Sequence, residues 1–318
     1  MSSRNLPQHL TDAVESILAS RKGALRERTS ELREAYGRAA SSSNVSIEAY
    51  LATRLPATYA AISRVFELVV EVTPDFSPRS FLDIGAGPGT ASWAAVEFWP
   101  TLAEITMVER DSRFADLAKT LAATSTQQSL KNVHIARTDL DEVASRAELV
   151  VAAYVFAEHS EAMAAKLARH LWEVCGGTLI IVEPGTPEGF GRIRAARAAL
   201  LAAGALMVGP CPHSRECPMT GTDWCHFKTR LQRSRIHMQA KNATVPFEDE
   251  SFSFVAVSRV AHKLPLARII APPAGNKVGT TLKLCAHGGI DVELVASRNK
   301  PAYKLSKKKN WGDSWEEQ

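Results

Sequence analysis

Apolar positions change their period along the chain, and the change divides it. Over residues 8–40 they recur at helical spacing (Leu10, Val14, Ile17, Leu18) among scattered ion pairs, which predicts a helix. Ser41-Ser42-Ser43-Asn44 breaks it. Residues 46–72 predict one or two more helices, ending on an apolar face of Ile62, Val65, Phe66 and Val69. Thr73-Pro74 and Ser77-Pro78 then punctuate a boundary. From residue 79 short apolar runs at 80–84, 104–108, 132–136, 148–155 and 178–183 alternate with helical stretches at 89–98, 111–124 and 160–174. This alternation predicts a doubly wound parallel sheet. After Glu183-Pro184-Gly185 it stops. An Arg- and Ala-rich helix at 190–203 leads into a cysteine segment, and strands follow at 252–258, 267–270, 278–285 and 290–297. The expected division is a helical region 1–75, a Rossmann-like domain 76–205, and a cysteine-rich, β-rich region 206–318.

The first runs in the alternating part frame a glycine motif, Leu82-Asp83-Ile84-Gly85-Ala86-Gly87-Pro88-Gly89-Thr90, which follows a strand and opens a helix. Glycine lets the backbone turn tightly and approach a ligand without a Cβ in the way. In dinucleotide sites a pyrophosphate sits at such a helix start, but Asp83 would repel it and suits instead the α-amino group of a methionine moiety. Glu109, 24 residues past Gly85, ends the second strand, where an acid can accept both ribose hydroxyls. Asp139 follows the third strand, where methyltransferases often place a side chain that bonds the adenine amino group; a solvated loop acid is the alternative reading. Residues 79–185 thus resemble class I S-adenosylmethionine-dependent methyltransferases, and the resemblance implies that cofactor on Asp83, Gly85, Gly87, Glu109 and Asp139. No catalytic residue is assigned. The fourth strand runs into Ala153-Tyr154-Val155-Phe156-Ala157-Glu158-His159, without the Asn/Asp-Pro-Pro-Tyr of base N-methyltransferases. Glu158 or His159 is a general-base candidate, with capping or ion pairing as the alternative.

Composition adds the second chemistry. Of five cysteines, Cys211, Cys217 and Cys225 fall within fifteen residues, and Cys285 lies further on. An odd count without a secretion signal argues against a disulfide framework. Gaps of five and seven residues lack the tight pairs of structural zinc. They suit the looser ligand spacing of an iron–sulfur cluster, as do Pro212 and Pro218 after two of the cysteines. Zinc stays open, with His213, His226 or His287 as substitute ligands. The three-cysteine CxxxCxxC pattern usual in radical enzymes is absent from the sequence. Cys175 stands apart and is read as core.

Charge is split. Residues 1–185 hold 18 Lys and Arg against 23 Asp and Glu, while residues 186–318 hold 20 against 11. Two basic runs carry the excess: Lys228, Arg230, Arg233, Arg235 and Lys241, then Arg298, Lys300, Lys304, Lys307, Lys308 and Lys309 with Tyr303 among them. They suit a polyanion, RNA, or a solvated surface. No apolar run approaches the ~18 residues of a membrane helix. The first 38 residues mix acids with arginines and lack a signal-peptide core, so a cytoplasmic, bacterial protein is expected rather than one of the mitochondrial matrix.

Taken together, Arg54-Leu-Pro56-Ala-Thr-Tyr59-Ala, the glycine motif, Glu183-Pro-Gly185, the four cysteines and Trp311-Gly312-Asp313 resemble the methyltransferase-like assembly factors of the mitochondrial small ribosomal subunit and their bacterial relatives. The resemblance runs from about residue 45 to near the end. It implies association with small-subunit rRNA or ribosome assembly intermediates, and a [4Fe–4S] cluster on Cys211, Cys217, Cys225 and Cys285.

Overall fold

The computed structural model describes residues 5–20, 29 and 46–316. The predicted helix over 8–40 is present as Gln8–Ser20. Most of its remainder, and the Ser-rich break after it, lie outside the described residues. Strands β1 (Ser80–Ile84), β2 (Glu104–Val108), β3 (His134–Ala136), β4 (Ala147–Ala153) and β5 (Cys175–Pro184) pair in parallel in the order β3-β2-β1-β4-β5. β6 (Leu206–Gly209), β7 (Phe227–Gln232) and β8 (Phe247–Ser258) extend the sheet. β8 runs antiparallel between β5 and β6, and β7 pairs with its first half. A five-strand parallel run closed by an inserted antiparallel strand is the expected Rossmann-like class I methyltransferase sheet.

The near-continuous apolar runs have a simple cause. Strands covered on both faces bury every side chain. Phe81, Leu149, Val151, Ile180, Val182 and Phe254 face one layer, built from Gln8–Ser20, Leu55–Val72, Thr90–Phe98 and Ser112–Ala122. Leu82, Val150, Ala152, Leu179, Ile181 and Val255 face the other, built from Glu161–Val174 and Pro187–Ala202. Side-chain caps fix the helix starts. Asp111 accepts from Arg113 N–H, Ser160 from Met163 N–H and Thr186 from Gly189 N–H.

The division placed at 205/206 is not a break in the sheet, because β6, β7 and β8 all belong to it. Nor does the N-terminal helical region stand apart, since Leu55, Ile62, Val65, Phe66 and Val69 share the core of the sheet's first face. The remaining strands form a smaller antiparallel sheet: β9 (Ala267–Ile269), β10 (Ala274–Gly275), β11 (Gly279–Ala286), β12 (Gly289–Ala296) and β13 (Ser314–Trp315). Its core of Ile269, Leu282, Leu284, Val295 and Trp315 is capped by Ala302 of the helix Lys300–Ser306. Among the described residues no helix is long and apolar enough to cross a membrane.

Candidate functional site

The glycine motif leaves β1 through three residues with positive φ, Gly85, Gly87 and Gly89. At Gly85 (φ +61°) a Cβ would lie 2.6 Å from Val155 Cγ2, so the turn needs glycine on both conformational and steric grounds. At Gly87 (φ +54°) the nearest atom to such a Cβ is the Tyr50 hydroxyl, 3.7 Å away. The loop therefore lies open under Tyr50. The Gly87 N–H donates to Glu109 Oε2 at 2.8 Å and the Asp111 N–H donates to Oε1 at 2.8 Å. Glu109 is thus fixed against the glycine loop with lone pairs to spare, and burial raises its pKa.

Asp83 is buried, and its Oδ2 accepts from Ser92 N–H at 3.0 Å and from Ser92 Oγ–H at 2.7 Å. It ties β1 to the first turn of Thr90–Phe98, whose left-handed cap Gly89 has no side chain to offer. Desolvation pushes its carboxyl up to about 7, against the lowering effect of the Ser92 bonds. Asp139 stands apart, with 57% of its side chain exposed and only a 3.5 Å contact to Arg110.

Beyond the motif, residues the sequence did not single out as site residues gather over the strand ends. The π-helical turn Tyr50–Arg54 carries two of them. Such turns recur at functional sites. Arg54 pairs with Glu250 at 3.1 Å and lies 5.6 Å over the ring of Tyr154, whose hydroxyl donates to Glu250 at 3.4 Å. Tyr154, the residue after β4, has φ +61°, a conformation that costs an aromatic residue of order 1 kcal/mol or more. That is why the expected strand 148–155 stops at Ala153. Glu183, fully buried, accepts from Phe156 N–H at 2.9 Å and from Arg192 Nε at 3.1 Å, and burial pushes it up to about 7. Glu158 is exposed. Neither Glu158 nor His159 caps the following helix by its side chain; Ser160 does. The available signals were Arg54 and Glu183 inside family-like motifs; nothing local marked Tyr154 or Glu250.

The cysteine segment lies between the two sheets. Cys217, Cys225 and Cys285 pack with Phe190, Met219, Trp224 and Ile270. Burial holds the Cys225 thiol well above its usual range, and the neighbouring Cys211, Cys285 and Cys217 add to the effect. Burial and the charges of Cys211 and Cys217 push Cys285 up to about 12. Cys225 thus lies within electrostatic reach of the other three. Two buried guanidiniums stand beside them. Arg197 donates to the carbonyls of His213 (3.0 Å) and Arg215 (2.7 Å), and Arg268, opposite Cys285 in the β9–β11 ladder, donates to Pro210 and Gly312. His213 is buried with Nε2 3.7 Å from Cys285 Sγ and Nδ1 without a partner. His226 stacks on Trp224 and meets Trp311 edge-on, while the His287 ring centroid is 6.5 Å from that of His213. Among the described residues no group of three or more His, Cys, Asp or Glu side chains stands in a metal-holding arrangement. Cys175 is buried in the core at the start of β5.

The first basic run is largely neutralised, by acids that only the β7–β8 pairing brings near. Arg230 forms a two-point pair with Asp249 (2.7 and 2.9 Å), and Arg233, His237 and Lys241 converge on Glu248.

Residues 44–316 match the family model described as mitochondrial small ribosomal subunit Rsm22. The chain is 27% identical over 285 residues to the human mitochondrial ribosome assembly protein METTL17, covering 83% of this chain and 61% of that protein. It is 25% identical over 318 residues to the mitochondrial Rsm22-cox11 tandem protein 2 of Schizosaccharomyces pombe, covering 83% and 42%. It therefore spans less than two thirds of either relative. Among solved structures, magnesium protoporphyrin IX methyltransferase from Synechocystis with bound SAM aligns at a TM-score of 0.45 and 12% identity, covering 76% of this chain and 100% of that one. At that distance the fold is read from the strand order itself. The expected bacterial, cytoplasmic setting is overturned, because the family and both relatives are mitochondrial. That expectation rested on acids among the N-terminal arginines, and such a composition does not fix a compartment.

Proposed function

Because the chain belongs to the mitochondrial small ribosomal subunit Rsm22 family, we propose that it is a methyltransferase-like ribosome assembly factor that binds S-adenosylmethionine and acts on or with small-subunit rRNA. The observation that carries the cofactor reading is the clamp of Glu109 against the Gly87 amide at the carboxyl ends of β1 and β2. Ligands of doubly wound sheets bind at that edge. Glu109 would accept the ribose hydroxyls, Asp83 would face the ammonium of the methionine moiety, and the open Gly87 backbone would let the ligand approach under Tyr50. Asp139, exposed beside Arg110, would reach the adenine only through a loop movement. Bound there, the cofactor supplies an electrophilic methyl group.

Methyl transfer itself is a second reading, and Tyr154 favours it. Strained residues cluster at active sites, and Arg54, Glu250 and Tyr154 form a polar set at the end of β4. Labelled cofactor with immature small subunits separates the two. Transfer that is lost in Tyr154→Phe identifies an enzyme. Cofactor binding without transfer identifies an assembly factor that keeps a nucleotide pocket.

The cysteines support a metal reading in the same proposal: a [4Fe–4S] cluster on Cys211, Cys217, Cys225 and Cys285, or zinc on the same set. Cys285 is buried and the other three are half-buried beside two buried guanidiniums, of which Arg268 has only a 3.8 Å contact to the half-exposed Glu71, and buried charge favours a partner. Four thiolates on a cluster core or Zn2+ carry net negative charge, which Arg197 and Arg268 would offset. Such a centre would supply a cross-link from the 211–225 loop to β11, joining the two sheets.

A further inference from the structure

A broad concavity lies away from the nucleotide pocket. It is a groove of about 1250 Å³ between the β7 edge of the large sheet and the small sheet with its helix Lys300–Ser306. That exceeds the roughly 300–1,000 Å³ typical of small-molecule sites. Six cations line it, Arg64, Lys228, Arg230, Lys277, Lys307 and Lys309, against two acids, Asp249 and Asp313. Both acids are already engaged, Asp249 by Arg230 and Asp313 by Arg64. Lys228, Lys277, Lys307 and Lys309 form no ion pair among the described residues. They come from three separate elements. β7 alternates strictly, so Lys228, Arg230 and Gln232 point outward into the groove. Lys277 comes from the turn before β11, and Lys307 and Lys309 follow the helix, whereas Lys308 between them does not line it. The walls also hold two aromatic rings. Lys307 lies 4.8 Å from the centroid of Tyr303 and Lys228 lies 5.7 Å from that of Trp311.

We propose that this groove holds a single strand of RNA, its phosphates on Lys228, Lys277, Lys307 and Lys309 and its bases toward Tyr303 and Trp311. The assignment rests on the RNA reading of the proposed function and gives it a place. Unpaired lysines spaced along a groove track a backbone, and aromatic rings half-exposed in its wall reward bases free to leave a stack. An A-form duplex keeps its bases stacked inside and makes no use of the rings. An acidic peptide would use the lysines but not the rings.

The test is fluorescence anisotropy of the full chain with a labelled 12-nucleotide oligouridine, titrated over salt. The double change Lys228→Glu with Lys309→Glu should weaken binding by about tenfold or more and flatten the slope of log K against log salt by about 0.7 for each phosphate no longer neutralised. Lys277→Glu should weaken it independently. Lys263→Glu, an equal charge change on an exposed residue outside the groove, should stay within about twofold of wild type. Unlabelled duplex of equal length and poly-aspartate should compete poorly. Lys228, Lys263 and Lys277 are exposed, Lys309 is half-buried, and none forms an ion pair among the described residues, so melting temperatures should stay close to wild type. Equal loss from Lys263→Glu and the groove changes overturns the groove. Equal competition by duplex or poly-aspartate overturns the single-stranded occupant. Wild-type chain that binds neither the oligomer nor a small-subunit rRNA fragment overturns the RNA reading itself.

Discussion

The backbone amide of Gly87 donates a 2.8 Å hydrogen bond to Oε2 of Glu109, so the loop after β1 and the acid ending β2 form one unit. Glu109→Ala would strand the half-buried amides of both Gly87 and Asp111, and a stranded donor costs up to about 1–3 kcal/mol when fully buried. The expected outcome is a lower urea midpoint with an unchanged m-value. Glu109→Gln, which keeps one accepting oxygen, should lose less.

Gly85 is the loop's least replaceable residue. Gly85→Ala combines a positive φ with a Cβ 2.6 Å from Val155 Cγ2, and a cost of about 1–3 kcal/mol is expected. Chemical denaturation measures it. Adding Val155→Ala, which removes the clashing methyls, should recover part of the loss but not the part due to φ.

Asp83 and Glu183 make the unliganded protein prefer mild acid. Each is pushed up to about 7 when folded, from ordinary values of 3.8 and 4.5. Between those values the folded chain holds protons that the unfolded chain has released, so stability falls as pH rises toward about 7 and levels off above it. Glu248, held low by His237 and Lys241, acts in the opposite sense. Its contribution is present above its ordinary value of 4.5 and is lost as pH falls below it. Melting temperatures across pH 5–8 should therefore decline, and Asp83→Asn should flatten the decline.

The cysteine centre predicts colour. Protein purified anaerobically should be brown with broad absorption near ~400 nm, and serine at Cys211, Cys217, Cys225 or Cys285 should abolish it. Cys175→Ser should leave it intact. Stoichiometric zinc without iron would replace the cluster with a zinc site, and neither metal would remove the centre from the account.

Much of this was legible because parallel strands buried on both faces spell themselves out. Leu149, Val150, Val151 and Ala152 in β4 form such a run, and the glycine motif between β1 and its helix is set by local backbone needs. Spacing put Cys217 and Cys225 near each other, but it took the small sheet to bring Cys285 of β11 to them. Long-range pairing was not. Glu248 and Asp249 neutralise Arg233, Lys241 and Arg230 only because β7 pairs with β8, so a run that reads as free positive charge is mostly spent. β6 and β7 escaped notice for the same reason. They are short or alternating, and their partner β8 lies downstream. Tyr154 gave no signal, since its backbone conformation is imposed by its surroundings rather than by its residue type.

Calorimetric titration of the folded chain with S-adenosylmethionine tests the cofactor reading most directly. One site should bind, and a ligand bound only by the folded state should raise the melting temperature. Affinity should rise from pH 6 to 8, because an ammonium facing Asp83 favours its ionised form, and about 7 is where that carboxyl releases its proton. Glu109→Ala should weaken binding by about 1.5–3 kcal/mol, as for a hydrogen bond to a charged group. No heat and no melting shift at millimolar ligand would contradict the account and leave the Rossmann sheet a scaffold.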